Sequence, residues 1–334
     1  MTRPAWLCAP ENELLHAPVG DPSLPWKDTF YFSLFDEAHG VHLAMHLTVS
    51  ENRTPNTRIA VGVRSGGRER VVVCREDGRP EPSVIGNSLA LLEVVNLSWG
   101  PDHTLRWRCE AEEFSFDVLV TGVQFAPHFD VLFPGVYPSG AQGHSYSHVE
   151  QLIRGAGTLR WNDGTQTTVD GFGWRDRGWG RRKSELTFGS GYDLVAGVLP
   201  DGSTFAFTGM RNVEHGSDAP LPVYGFHCDG EELSPAVGGH YFKDSMSFPA
   251  ELALEFANGR RVSGVQARRT STLGTPWHDA EPRGSGIAAG GRDYYAVLTD
   301  PAGAEFGVFS NEGHMLLVDV TRGATFFHDG PASR

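Results

Sequence analysis

Apolar and polar residues alternate with a period of two in several short runs of this chain. Phe30, Phe32 and Leu34 fall on one face of such a run. The segments Leu43–Val49 and Phe114–Val118 alternate in the same way. This pattern is typical of a β-strand with one buried face. It predicts strands along much of the chain, with no helix longer than about three turns, the ordinary mean length.

Asp-Gly and Asn-Gly dipeptides separate these runs, and such pairs favour the turns that join antiparallel strands. One hairpin is predicted at Asp201-Gly202, between Tyr192–Leu199 and Ser203–Thr208. Another is predicted at Asn258-Gly259. Residues Ser88–Val95 fit a helix or a strand equally well. Together the runs and turns predict an all-β protein of antiparallel strands, arranged as barrels or a sandwich.

The length of 334 residues exceeds what a single ordinary core supports, so two domains are expected. A stretch rich in proline and glycine, 134–143, offers the boundary between them. We therefore expect one β domain over 1–140 and a second over 141–334.

The charge of the chain excludes several classes of partner. A formal net charge of −13 argues against binding to nucleic acid or to an anionic membrane, both of which need a cationic face. No run reaches the roughly 18 apolar residues of a membrane span, and the N-terminus lacks the apolar region of a signal peptide. Four scattered cysteines form no CxxC pair. These features favour a cytoplasmic protein with free thiols. The oligomeric state stays open.

The motif Gly173-Trp174-Arg175-Asp176-Arg177-Gly178-Trp179-Gly180 concentrates the candidate chemistry. A carboxylic acid buried among apolar groups can have its pKa raised by up to about 3–5 units and then act as a proton donor. An arginine partner would instead hold Asp176 as an anion. On a strand, Arg175 and Arg177 would point away from Asp176 while Trp174 shares its face. Both interpretations of Asp176, acid or ion-pair partner, remain open.

His148 and Glu150 would share one face of a strand and could form an acid–base pair or an ordinary packing contact. The spacing of the histidines gives no convincing metal site. No phosphate-binding loop, dinucleotide fingerprint or G-x-S-x-G elbow occurs, so no cofactor is expected. Aromatic residues that could line an apolar pocket, or simply fill the core, are Trp174, Trp179, Tyr146, Phe172, Trp161 and Trp277.

Several landmarks together resemble the bacterial two-domain proteins related to carotenoid 1,2-hydratase (hydroxyneurosporene synthase). They are Glu13–His16, Trp26–Phe32, His148–Gln151 and Gly171–Arg181. The resemblance is specific at Asp-x-x-Trp-Gly. This chain has Trp174 where the relatives have another aromatic residue or His, and Arg177 where they usually have His.

The resemblance implies two lipocalin-like β-barrel or sandwich domains packed together, the second carrying the Asp-x-x-Trp-Gly motif. It also implies that Asp176 is the proton donor. The first functional hypothesis is a cofactor-independent enzyme that hydrates, dehydrates, isomerises or cyclises a hydrophobic, isoprenoid- or polyketide-like substrate. The second is a non-catalytic carrier of a similar ligand. A pocket with a buried, unpaired carboxylate would favour the enzyme, whereas a pocket with only apolar walls and Asp176 tied to an arginine would favour the carrier.

Overall fold

A computed structural model of the protein describes residues 13–24, 26–51, 56–77, 88–100, 104–123, 145–181, 191–211, 224–230, 232–276, 287–319 and 324–326. These residues form β-strands joined by turns and contain no α-helix. None of them therefore belongs to a helix long and apolar enough to cross a membrane. The all-β prediction is confirmed.

The chain divides into two compact units, Met1–Lys183 and Ser184–Arg334. The strands of the first unit are β1 (Trp26–Asp36), β2 (Val41–Glu51), β3 (Asn56–Ser65), β4 (Arg68–Asp77), β5 (Ser88–Leu91), β6 (Val95–Trp99), β7 (Leu105–Glu110), β8 (Phe114–Gly122), β9 (Ser145–Trp161) and β10 (Gln166–Arg181). Those of the second are β11 (Gly191–Val198), β12 (Thr204–Arg211), β13 (Tyr224–Asp229), β14 (Glu232–Lys243), β15 (Pro249–Phe256), β16 (Arg261–Pro276), β17 (Ile287–Thr299), β18 (Glu305–Asp319) and β19 (Ala324–Phe326).

The first unit is a curled, half-barrel sheet of ten strands in the order β4-β3-β2-β1-β10-β9-β8-β7-β6-β5. All neighbouring strands are antiparallel, and β1 pairs with β10, so the first strand joins the last. One face of the sheet carries a hydrophobic core that includes Phe30, Phe32, Leu43, Trp107 and Phe116. The alternation seen in the sequence supplies these core residues.

The second unit closes into a barrel of eight strands, because β11 pairs with both β12 and β18. Its core contains Val195, Phe205, Phe207 and Leu254 among other residues. The hairpin predicted at Asp201-Gly202 joins β11 to β12 as expected.

One finer prediction about the first unit is corrected, and one open alternative is resolved. The segment 134–143 lies outside the described residues, but β8 before it and β9 after it pair within one sheet. The boundary predicted after residue 140 therefore falls inside the first unit, which also carries the Asp-x-x-Trp-Gly motif. Ser88–Val95 adopts the strand alternative: Ser88–Leu91 is β5, and the turn to β6 contains Leu92 and Glu93, whose positive φ values a helix would not allow.

Strand β1 is buried along its whole length, on both faces. Phe30, Phe32 and Leu34 point into the hydrophobic core. Tyr31 and Ser33 alternate with them and lie on the opposite face, yet they are also buried. We call the second face of β1 and its neighbours the polar face. A strand buried on both sides cannot be read as one clean alternation of apolar and polar residues.

Arginines of β10 tie the N-terminal segment 13–24 to the core face of the sheet. Arg175 donates from both terminal nitrogens to the two oxygens of Glu13, at 2.7 and 2.6 Å. Arg181 donates to the carbonyl oxygen of Val19 at 2.8 Å. The two-pronged geometry is the strong form of an arginine–carboxylate pair, so these contacts fix the path of the segment that precedes β1.

We expect Gly173→Ala to lower the free energy of unfolding by about 1–3 kcal/mol, the usual cost of overpacking. A Cβ at this position would lie 1.8 Å from the backbone oxygen of Ser33, so β10 could not stay as close to β1. Gly238→Ala is the control, since a Cβ there meets no atom within 4 Å. Urea denaturation measures both, and equal stability of the two variants would contradict the prediction.

We expect Glu13→Gln to lower the free energy of unfolding by about 3–5 kcal/mol, because it leaves the guanidinium of Arg175 buried beside a neutral group. Both side chains of the pair are 5% exposed. The exposed pair of Arg106 with Asp117 is the control, and Asp117→Asn should cost far less because solvent screens that pair. Thermal denaturation followed by circular dichroism checks the difference. Similar losses in both variants would refute the role of Glu13.

Candidate active site

The motif Gly173–Gly180 lies on β10, where successive side chains point to opposite faces of the sheet. Arg175 and Arg177 point to the core face, and Trp174 and Asp176 point to the polar face. The alternation of side chains along the strand thus places the arginines and the carboxylate on opposite faces of the sheet, as predicted from the sequence.

The guanidinium of Arg177 makes its contacts on the core face. It forms an ion pair with Asp28 and donates to the carbonyl oxygen of Leu14 at 2.6 Å. It also contacts the Nδ1 atom of His16 at 3.0 Å, and the imidazole of His16 stacks on Trp179 at 4.3 Å. Burial, the largest single effect, raises the pKa of Asp28, but the charge of Arg177 and the hydrogen bonds from His16 and Arg177 together lower it below its usual value. Arg177, which stands where the resembling proteins usually have His, therefore makes its contacts on the face opposite to Asp176.

Asp176 has a histidine, not an arginine, as its ion-pair partner among the described residues. The Nε2 atom of His148 lies 2.7 Å from Oδ1 of Asp176 and 3.1 Å from Oε1 of Glu150. The pairing of β9 with β10 sets this arrangement, because Glu150 is directly opposite Asp176. His148 and Glu150 are buried, whereas the side chain of Asp176 is 21% exposed. Asp176 is thus the member of the cluster that solvent or a ligand can reach.

Glu150 is held in a setting that disfavours its charge. Burial raises the pKa of the Glu150 carboxyl well above its usual range, and the negative charge of Asp176 raises it further. The indole N–H of Trp174 donates a hydrogen bond to Oε2 of Glu150, which only partly offsets both effects. The ionised form of Glu150 is therefore disfavoured beside Asp176.

Such a cluster can exchange protons with a bound molecule. Two carboxyl groups and an imidazole, with Nε2 of His148 within 3.1 Å of an oxygen of each carboxyl, are the groups of general acid–base catalysis. Donor atoms of His148, Glu150 and Asp176 also lie within 4.8 Å of one another, close enough to hold a cation. Binding of a cation here would require the Glu150 carboxyl to lose its proton, because ligation requires deprotonation.

The aromatic residues predicted to line a pocket do not all reach this cluster. Trp174 does, and Phe172 lies on the same face of β10, opposite Phe35 on β1. Trp179 is on the core face against His16, and Trp161 packs edge-on against Phe114 in the core, so neither lies beside Asp176. Each is separated from the polar-face positions of its strand by an odd number of residues, so its side chain points to the opposite face. The side chain of Tyr146 and all of Trp277 lie outside the described residues.

Two residues that were not among the predicted site residues lie in the same row as the cluster. Tyr31 is directly opposite Asp176 across the β1–β10 pairing, and His46 is opposite Tyr31 across β1–β2. The alternation had already placed Tyr31 on the face opposite Phe30. No local signal shows that β1 pairs with a strand so distant in the chain, and this pairing is what brings Tyr31 to the site.

The fold is shared with a solved structure. A protein of Nitrosomonas europaea assigned as AttH has a similar structure, with a TM-score of 0.56 and 15% identity over 90% of this chain and 98% of that one. Kievitone hydratase from Nectria haematococca superposes with a TM-score of 0.49 and 11% identity, over 92% and 93% of the two chains. No curated protein matches the sequence. The family described as "Domain of unknown function (DUF7064)" matches residues 9–260, which is most of the chain, and the protein therefore belongs to that family.

Proposed function

We propose that this protein is an enzyme that transfers protons to and from a hydrophobic small molecule, using its own side chains as acid and base. The observation that carries the proposal is the contact of His148 with two carboxyl groups, one of them with a raised pKa. Asp176 has no arginine partner among the described residues, which argues against the arginine-bound carboxylate expected of a carrier, although its contact with His148 means that it is not the unpaired acid first envisaged. We infer that Asp176 touches the substrate, since it is the exposed member.

These groups can supply and recover the proton that a hydration reaction needs. The acid form of Asp176 protonates one carbon of a substrate double bond, and the adjacent carbon becomes cationic. A water molecule adds to that carbon and returns a proton to the Asp176 carboxylate, so one water is consumed and the acid is restored. His148 lies between the two carboxyls and can pass a proton from Glu150 to Asp176 during this cycle. Dehydration is the reverse sequence.

The surroundings of Asp176 suit a substrate with an apolar body. Trp174 is fully buried beside the carboxyl pair, and Phe35 and Phe172 lie on the same face of the sheet. Aromatic faces stabilise a developing cation, and exclusion of water strengthens each charge interaction at the site. Isoprenoid- or polyketide-like molecules, acted on in the cytoplasm, fit this description. Isomerisation and cyclisation begin with the same proton transfer and share the proposal.

We expect Asp176→Asn to lower turnover roughly 10²–10⁴-fold, the usual contribution of a general acid, because the amide keeps the shape and loses the transferable proton. The melting temperature should change little, since no arginine loses its partner. Mass spectrometry of small molecules that co-purify with the protein would identify the substrate. Incorporation of solvent deuterium into that molecule would then measure the reaction.

Asp170→Asn is the matched control for this test, because Asp170 lies on the same strand at an exposed position. It should leave deuterium incorporation unchanged. A stable Asp176→Asn protein with full activity would show that Asp176 is not the acid. A strongly destabilised one would show that the carboxylate has a structural role.

The stability of the protein should report the protonation of Glu150. A raised pKa means that the folded state keeps this proton to higher pH than the unfolded chain does. The associated stabilisation is therefore complete below about pH 4.5, the ordinary pKa of the group, and is lost as pH rises through the folded value. The free energy of unfolding of the wild type, relative to that of Glu150→Gln, should fall with pH over this window. Urea denaturation at a series of pH values measures the difference, and a rise with pH would contradict it.

A further inference from the structure

The polar face carries one ionisable or protic side chain at the same level on four adjacent strands. They are Glu150 on β9, Asp176 on β10, Tyr31 on β1 and His46 on β2, each directly opposite the next in the strand register. Directly opposed residues on one face have Cβ atoms about 4.5–5.5 Å apart. The four side chains therefore form a continuous row that runs across the strands, and we call it the protic row.

The burial along this row is uneven. Glu150 is 3% exposed and Tyr31 5% exposed, whereas Asp176 and His46 are each partly exposed. The rings of Tyr31 and His46 approach with centroids 6.4 Å apart. Tyr31 thus lies between the two members of the row that a ligand can reach. A molecule that contacts both Asp176 and His46 has to pass over Tyr31.

The two sides of the protic row differ in polarity. On one side lies the parallel line of Trp174, Ser33, Ala44 and Gly62, on strands β10, β1, β2 and β3, which is small or aromatic in character, and its one hydroxyl, that of Ser33, contacts Nε2 of His42 at 3.3 Å. On the other side lie hydroxyl, imidazole and guanidinium groups, namely those of His148, Thr29, Thr48 and Arg58. The Nδ1 atom of His46 approaches the hydroxyl of Thr48 at 3.4 Å. A ligand with one apolar edge and one oxygen-bearing edge matches this asymmetry.

We propose that Tyr31, supported by His46, binds a hydroxyl or carbonyl oxygen of the substrate and so fixes which atom faces Asp176. This inference rests on the proposed function. The substrate then lies across the strands rather than along them, with its oxygen about one strand spacing, roughly 4.8 Å, from the protonated atom. A phenolic hydroxyl is both donor and acceptor, so it serves either oxygen group. Tyr31 is thus a substrate-binding residue that selects oxygenated apolar molecules over pure hydrocarbons.

A pair of probes that differ only in one hydroxyl tests this selection. Equilibrium dialysis of the full chain against 2-naphthol and naphthalene gives the ratio of their dissociation constants. The wild type should prefer 2-naphthol by roughly fivefold to tenfold, the worth of one hydrogen bond. Tyr31→Phe should bring the ratio close to one while the affinity for naphthalene stays the same. Tyr295→Phe, at a buried tyrosine of the second unit, is the matched control and should keep the wild-type ratio.

The outcomes separate this inference from the proposed function. Asp176→Asn should keep the preference for 2-naphthol even though it abolishes deuterium incorporation, because binding and proton transfer use different side chains. An unchanged preference in Tyr31→Phe would overturn the role of Tyr31. Failure of the wild type to bind 2-naphthol, or to distinguish it from naphthalene, would overturn the proposed ligand class. Failure of deuterium incorporation alone would count against the enzyme and not against the oxygen site.

Discussion

The pairing of β1 with β10 is the constraint on which the site depends. It joins the first strand of the chain to the last strand of the first unit and sets Tyr31 beside Asp176. The same pairing sets Phe30 beside Arg177, whose guanidinium lies 3.9 Å above the phenyl ring. Gly173 permits the close approach of the two backbones at this point. The candidate acid and the anchor of the N-terminal segment thus follow from one strand register.

The carboxyl groups on the two faces of this strand pair have different cationic partners. On the core face, Asp28 and Glu13 are paired with arginines, so their buried carboxylates are compensated. On the polar face, the described cationic partner of Glu150 and Asp176 is the imidazole of His148, and burial together with the nearby Asp176 charge disfavours the ionised form of Glu150. Structural carboxylates and the candidate reactive carboxyls lie within one sheet, and the type of cation beside each distinguishes them.

Local patterns were sufficient to predict the strands, the hairpins and the faces of the motif, because alternation and turn residues act over a few positions. The separation of Arg175 from Asp176 and the shared face of His148 and Glu150 were predicted for the same reason. The domain boundary was misplaced because a Pro- and Gly-rich segment can join two strands of one sheet as well as two domains. Trp161 and Trp179 were assigned to the pocket because composition alone does not tell core aromatics from ligand-binding ones.

Because the reactive and the anchoring side chains occupy alternate positions of β10, evolution can change one set without touching the other. Replacement of Arg177 by the histidine usual in the resembling proteins would alter how the N-terminal segment is held but leave Asp176 in place. Substitution at even positions would instead change the chemistry on a preserved scaffold. Insertion or deletion of one residue within the strand would disrupt both functions at once. It would move the side chains beyond that point to the opposite face of the sheet, so the reactive and the anchoring positions would change places.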